Sequence, residues 1–245
     1  MRFDVITLFP ELFAPFLTIG ITRRAFENND GVTQVDVHLW NPRDFAQGTY
    51  RRIDDRPFGG GPGMVMMAEP LRLCLEAIQT ERQQQQNQTQ PAPVVLFSPI
   101  GQKLDHPSVE TWSKSEGAIL VCGRYEGIDQ RFIDAYVDVQ ISLGDFVLSG
   151  GEIAAMALLD AVARLQPGVL GDQDSHHLDS FNPALDGLLD CPHYTRPEIW
   201  EDHGVPKAVP DVLLSGHHVN IEKWRQEQRL KLTTELRPDL LKKAI

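Results

Sequence analysis

The residues able to do chemistry in this chain gather in loops that follow short apolar runs. Cys122-Gly123-Arg124-Tyr125-Glu126-Gly127-Ile128-Asp129 follows one run, and Leu143-Gly144-Asp145-Phe146-Val147-Leu148-Ser149-Gly150-Gly151-Glu152 another. Phe97-Ser98-Pro99-Ile100-Gly101 is a third loop of this kind. Glycines there permit close backbone approach. Free N–H and C=O groups in such loops suit an uncharged heterocycle, and in open α/β sheets ligands sit at the carboxyl ends of strands. Simpler structural roles fit the same residues. Asp129 sits where a helix would begin, and Ser149 with Glu152 fits a capping box. Arg56-Pro57-Phe58-Gly59-Gly60-Gly61-Pro62-Gly63-Met64 is a further glycine cluster. It lacks the Gly-Lys-Ser/Thr ending of a phosphate loop, and Met64 stands where a GxGxxG motif needs glycine. Its basic lead-in, Arg51-Arg52 with Arg56, tilts it toward a polyanion. Asp160 and Arg164, four residues apart, read on their own as an intrahelical ion pair. Asp179 reads on its own as a solvated carboxylate. Adjacent histidines, His176-His177 and His217-His218, do not share a helix face. With no HExxH motif, they give a metal-hydrolase site little support.

The elements that must position these loops are legible as alternating patterns. Strand-like runs are Phe3–Leu8, Val35–Leu39, Val94–Ser98, Ala118–Cys122 and Val137–Ser142. Helical spacing lies between or after them at Glu69–Ala77 and Gly150–Gln166. Strand-helix alternation predicts an α/β fold with a mostly parallel sheet. Gln79–Pro93, centred on Gln83-Gln84-Gln85-Gln86, reads as a mobile surface insertion with no functional role. After Gly168 the composition changes. Gly171–Asp190 carries five aspartates and no Lys or Arg, with breaks at Gly171, Pro183 and Gly187, and reads as a linker. Asn220–Leu236 then shows helical spacing, and residues 220–245 carry a net charge of +3 against −14 for the rest. Pairs such as Glu227 with Lys231 would solvate such a helix.

With 245 residues and 42% hydrophobic content, the chain can bury a core without staples. Its three cysteines, Cys74, Cys122 and Cys191, are far apart and form no CxxC pair. That supports neither a disulfide framework nor a cysteine zinc site, and suggests a cytoplasmic setting. A net charge of −11 argues against indiscriminate coating of nucleic acid, though not against a local basic patch. No apolar run is long enough to span a bilayer. The N-terminus, with Asp4 inside its apolar stretch, reads as a first strand and not as a signal peptide.

Taken together, ordered motifs along nearly the whole chain resemble the bacterial tRNA (guanine-N1)-methyltransferases, of the SPOUT class of knotted methyltransferases. They are Thr7-Leu8-Phe9-Pro10-Glu11, Asp54-Asp55-Arg56-Pro57 through Gly63-Met64, Gly123 through Asp129, Gly144-Asp145 through Gly151-Glu152, Asp160 through Arg164, Asp190-Cys191-Pro192-His193-Tyr194-Thr195-Arg196-Pro197 and Ser215-Gly216-His217-His218. Ile100, Leu143 and the extra stretch Asn182-Pro183-Ala184-Leu185 depart from the family pattern.

The resemblance implies an α/β domain with a deep trefoil knot over residues 1–170, a flexible linker over 171–178 and a helical tRNA-binding domain over 179–245. It implies a homodimer whose sites draw on both chains, with S-adenosylmethionine in the knot. The cofactor residues would be Ser98, Pro99, Gly101, Gly123, Tyr125, Leu143, Gly144, Asp145, Phe146, Val147 and Leu148. The substrate would be the guanosine immediately 3′ of the anticodon. Asp179 matches the family's general base for the N1 proton, and Arg164 matches the cation that answers charge building on O6. These two would come from different subunits. Arg51, Arg52, Lys223 and Arg225 would hold tRNA phosphates, and Glu126 matches a residue tied to magnesium dependence. Another SPOUT enzyme, or a non-enzymatic RNA-binding protein on the same scaffold, is the competing reading. The motifs at Asp179 and Asp190–Pro197 speak against the first, and the presence of Arg164 and Asp179 against the second.

Overall fold

Five strands form a parallel sheet in the order β2-β1-β6-β5-β7. They are β1 (Arg2–Ile6), β2 (Asp36–Trp40), β5 (Val94–Lys103), β6 (Gly117–Val121) and β7 (Val139–Ser142). This computed structural model describes residues 1–27, 33–86, 91–171 and 178–241. The chain divides into two compact units, Met1–Gly171 and Asp172–Ile245. Among the described residues no helix is long and apolar enough to cross a membrane.

The first unit buries both faces of its sheet, which is why its strands read as near-continuous apolar runs. Side chains alternate along each strand. Phe3, Val5, Ala118 and Leu120 pack with α6 (Glu152–Arg164) and with Val109 of α4 (His106–Ser113). Ile6, Ile119 and Val121 pack the other way, with α3 (Ala68–Gln86) and with Phe132 of α5 (Gln130–Tyr136). A short antiparallel pair, β3 (Asp54–Asp55) and β4 (Val65–Met66), brackets the glycine cluster. Two short helices, α1 (Phe13–Thr18) and α2 (Arg23–Phe26), lie between β1 and β2.

The glutamine-rich segment corrects the sequence reading. Helix α3 continues through Gln86 instead of ending near Ala77. Its last turns carry Arg82, which is buried and donates to the Asp4 carboxylate and to the Arg2 carbonyl at 3.2 Å. Asp4 also accepts from Arg2 at 2.7 Å and from the Trp40 indole at 2.8 Å. Glu81 and Gln85 complete the ring of partners around Arg2. Burying these charges is tolerable only because each is paired. Low complexity in the sequence hid a structural anchor. Residues 87–90 of the expected insertion lie outside the described residues.

The second unit holds β8 (Ile199–Asp202) and β9 (Val205–Ala208), then α7 (Asp211–Leu214), α8 (His218–Leu236) and α9 (Pro238–Leu241). The antiparallel hairpin departs from the expectation of a purely helical segment. It turns through His203 and Gly204, both at positive φ, the geometry that matches strand twist in a two-residue hairpin. The expected linker falls mostly on 172–177, outside the described residues, as do His176, His177, Lys242 and Lys243. From Leu178 onward the acidic stretch is ordered. Asp190 N–H donates to the Ser180 hydroxyl at 2.9 Å and Phe181 N–H to the Leu188 carbonyl at 2.9 Å. Leu189 N–H reaches Thr233 Oγ1 of α8 at 3.0 Å, and buried Arg229 pairs with Glu222 at 2.8 Å.

Candidate active site

The site forms where β5, β6 and β7 end. β5 pairs with β7 on both sides of a bulge: Ile141 is opposite Phe97 and again opposite Gln102. The residues between them arch over the end of β7. Ser98, Pro99 and Ile100 thereby line a cleft of about 350 Å³. Gly123 and Tyr125 line it from the loop after β6. Leu143, Gly144, Phe146, Val147 and Leu148 line it from the loop after β7. A cleft of that size is in the range of small-molecule sites. Backbone and apolar groups dominate its wall.

Two expected cofactor residues stand elsewhere. Gly101 packs on β7, where an added Cβ would lie 2.5 Å from the Gln140 carbonyl carbon. Its glycine serves strand packing and not the cleft wall. Asp145 turns to solvent, with its carboxylate 3.7 Å from Lys103 Nζ.

A buried charge network underlies the cleft. Glu152, 1% exposed, accepts from the Thr7 hydroxyl at 2.9 Å. Its carboxylate pairs with Arg124 Nε at 2.9 Å. Arg124 Nη1 donates to the Ser149 carbonyl at 3.2 Å, and its guanidinium lies over the Phe9 ring at 4.5 Å. This overturns the capping-box expectation. Gly151, not Ser149, is the N-cap of α6 and has no side chain to cap with, and the Glu152 carboxylate goes to Arg124 and Thr7. The network ties the ends of β1 and β6 to the start of α6. Gly151 N–H donates to the Gly123 carbonyl at 3.0 Å, closing the same seam. Asp129, by contrast, does cap α5, accepting from Arg131 N–H at 3.0 Å.

The glycine cluster is pinned beside the cleft. Glu126 N–H donates to the Met64 carbonyl at 3.0 Å, and Met66 N–H to the Gly127 carbonyl at 2.9 Å. Tyr125 holds a left-handed φ of 60°. Burial and the neighbouring Asp54 carboxylate push its hydroxyl above the ordinary tyrosine range. Burial does the same, more strongly, to the Cys122 thiol. Glu126 lines the cleft. No group of three or more His, Cys, Asp or Glu able to hold a metal occurs among the described residues.

The remaining expected residues are not gathered in this cleft. Arg164 ends α6, ten residues beyond the cleft-lining Ala154, about 15 Å along the helix axis at 1.5 Å per residue. Asp179 belongs to the second unit, where its carbonyl accepts from Asn182 N–H at 3.3 Å. Arg51 pairs with Asp44 at 3.2 Å and Arg52 with Asp55 at 3.5 Å, all exposed. On α8, Lys223 pairs with Glu227 at 4.0 Å and Arg225 with Glu222 at 3.7 Å. Sequence reasoning missed Arg124 and Glu152 as site builders. Their only sequence signal was membership in the two post-strand loops.

A family model described as tRNA (Guanine-1)-methyltransferase TrmD matches residues 1–243. The chain belongs to this family. Among relatives, a "tRNA (guanine-N(1)-)-methyltransferase" of Albidiferax ferrireducens is 72% identical over 244 residues, covering 100% of this chain and 93% of that protein. A protein of the same description from Polaromonas sp. is 70% identical, covering 100% of this chain and 90% of its own. One from Bordetella parapertussis is 56% identical, with coverage of 100% and 91%.

Proposed function

We propose that this protein transfers a methyl group from S-adenosylmethionine to N1 of the guanosine immediately 3′ of the anticodon in tRNA. The observation that carries the reading is the cleft at the ends of β5, β6 and β7, in a chain matched by the family over residues 1–243. The donor fits that cleft by size, by an apolar wall for the adenine and by backbone groups at Ser98, Gly123, Leu143, Gly144 and Phe146–Leu148 for its edges. When bound, it supplies a methyl group on a positively charged sulfur. Seating of the donor in a deep trefoil knot is part of the same reading. It is supported by the passage of the chain from β7 into α6 against the loop after β6.

Guanine N1 carries a proton at neutral pH and becomes a good nucleophile only when that proton leaves. Asp179 accepts it as general base. As it leaves, negative charge grows on O6, and the Arg164 guanidinium donates hydrogen bonds to it. The cleft of one chain does not contain Arg164, and the second unit carries Asp179. A homodimer with each site shared between subunits brings the two together. The target base leaves its stack to enter. Arg51 and Arg52 near the glycine cluster, with Lys223 and Arg225 on α8, hold phosphates once their acidic partners yield. Residues 1–170 thus serve the donor, 171–178 link, and 179–245 serve the RNA, in a cytoplasmic enzyme. Magnesium at Glu126 would take most of its oxygen ligands from water and RNA.

The test is methyl transfer from labelled S-adenosylmethionine to two unmodified tRNA transcripts, with G or A immediately 3′ of the anticodon. Label appearing only in the G transcript, as 1-methylguanosine, is expected. Label in both, or in neither, overturns the assignment.

A further inference from the structure

The glycine cluster between β3 and β4 carries an aromatic ring that neither the core nor the cleft uses. Phe58 is 100% exposed. Leaving a phenyl ring in water forgoes one of the larger gains open to a side chain. The backbone holds it there. Gly60 N–H donates to the Pro57 carbonyl at 3.2 Å, closing a β-turn over residues 57–60. Phe58 is the second residue of that turn and Gly59 the third, at a φ of 85°. A type II turn requires positive φ at that third position. A Cβ on Gly59, Gly60 or Gly61 would meet nothing within 4 Å, so these glycines answer to backbone shape and not to crowding.

The loop is nevertheless fixed at the cleft. A Cβ on Gly63 would lie 2.3 Å from Oε1 of Glu126, which lines the cleft wall. Phe58 precedes Gly63 by five residues, at most about 18 Å of extended chain. Beside the ring, the Arg56 guanidinium makes no hydrogen bond or ion pair to any described residue. Arg51 and Arg52, which lead into the loop, make only exposed pairs. An exposed ring among exposed guanidinium groups matches the faces of nucleobases on their phosphate backbone.

We propose that Phe58 is a wedge that takes the place of the target guanosine in the anticodon-loop stack, with Arg56 on a flanking phosphate. This rests on the tRNA reading and assigns to it the group that holds the RNA open. A base extruded into a pocket gives up its stacking on both sides. An apolar side chain inserted at the vacated step recovers part of that loss. Every base has a π-face, so the ring supports opening and leaves the choice of base to the cleft.

A tRNA transcript with 2-aminopurine in place of the target guanosine tests the wedge without turnover, because that base fluoresces when it leaves its stack. With saturating S-adenosylhomocysteine, the wild type should raise the fluorescence several-fold. Phe58→Ala should cut that rise by about half or more and weaken transcript binding by about 10-fold. Phe58→Trp, which keeps a stacking face, should behave as the wild type. S-adenosylhomocysteine affinity should stay within about twofold in both variants. An unchanged rise in Phe58→Ala overturns the proposal. So does a loss of S-adenosylhomocysteine affinity in step with the loss of RNA, which would mean that the loop only shapes the cleft. A lighter species of Phe58→Ala in sedimentation would seat the ring on a second copy of the chain, and also overturns it. A wild type that binds the transcript without any rise refutes the wedge alone, whereas one that binds no tRNA refutes the substrate reading itself.

Discussion

At the residue scale, position in the loops was legible and partnership was not. The loops holding Ser98, Gly123, Leu143, Gly144 and Phe146–Leu148, which line the cleft, could be found because glycines and turns directly follow apolar runs. Gly101 and Asp145 sit in the same loops yet face β7 and solvent, a distinction that depends on which way one peptide turns. Arg124 and Glu152 escaped notice because their partners lie 28 residues apart for the pair itself and 145 for Glu152 with Thr7. The assigned chemistry makes its own residue-scale prediction. Asp179→Ala should lower turnover by about 100-fold or more, the usual reach of a general base, with donor affinity unchanged. Single-turnover rates with saturating tRNA measure this, and near-normal rates would remove Asp179 from the mechanism.

At the scale of elements, short apolar runs located all five strands of the sheet, but composition misled where Arg82 and Asp4 are buried together. The run of glutamines looked like an insertion, yet Arg82 inside that helix is buried against Asp4. Arg82→Met should therefore cost about 3–5 kcal/mol in urea unfolding, since it leaves Asp4 short of a buried partner. A loss below about 1 kcal/mol would mean that water or Arg2 replaces it. The hairpin β8–β9 was missed because its turn is His-Gly instead of Asn-Gly and because Pro206 sits in a strand. In the same unit, burial pushes the Asp190 carboxyl up. The Cys191 N–H and the His193 ring outweigh that and hold it below the usual carboxylate range. A depressed folded pKa contributes stability above the unfolded value, near ~4, and loses it as pH falls through the lower folded one. Melting temperature followed from pH 6 to pH 2 should fall more steeply in the wild type than in Asp190→Asn below about pH 4. Parallel curves would show that Asp190 plays no part in acid unfolding.

For the whole molecule, charge distribution on its own read as a solvated helix, and the tRNA substrate came from the family resemblance. A net −11 conceals a C-terminal segment at +3, though the structure already pairs Lys223 and Arg225 with glutamates. The knot of the proposed reading rests on the family resemblance, because periodicity reports elements and not their path. The shared-site reading makes a prediction only an assembly can meet. Asp179→Ala and Arg164→Ala, each inactive alone, should regain about a quarter of wild-type turnover when co-expressed. Half the dimers are then mixed, and one site in each mixed dimer has both residues intact. No recovery would place both residues on one chain.

The seam between Thr7, Gly123 and Glu152 also bears on how the protein is born. The first strand leaves the ribosome early, yet its Thr7 gains its partner only when Glu152 has been synthesised, 145 residues later. Until then β1 and β6 can pair while the floor beneath their ends stays open. Contacts of such long range form late in folding. Affinity for an adenosine ligand should accordingly be absent from ribosome-bound chains halted before Gly150. It should arise once α6 clears the exit tunnel, making ligand capture a marker of completed synthesis of the first unit.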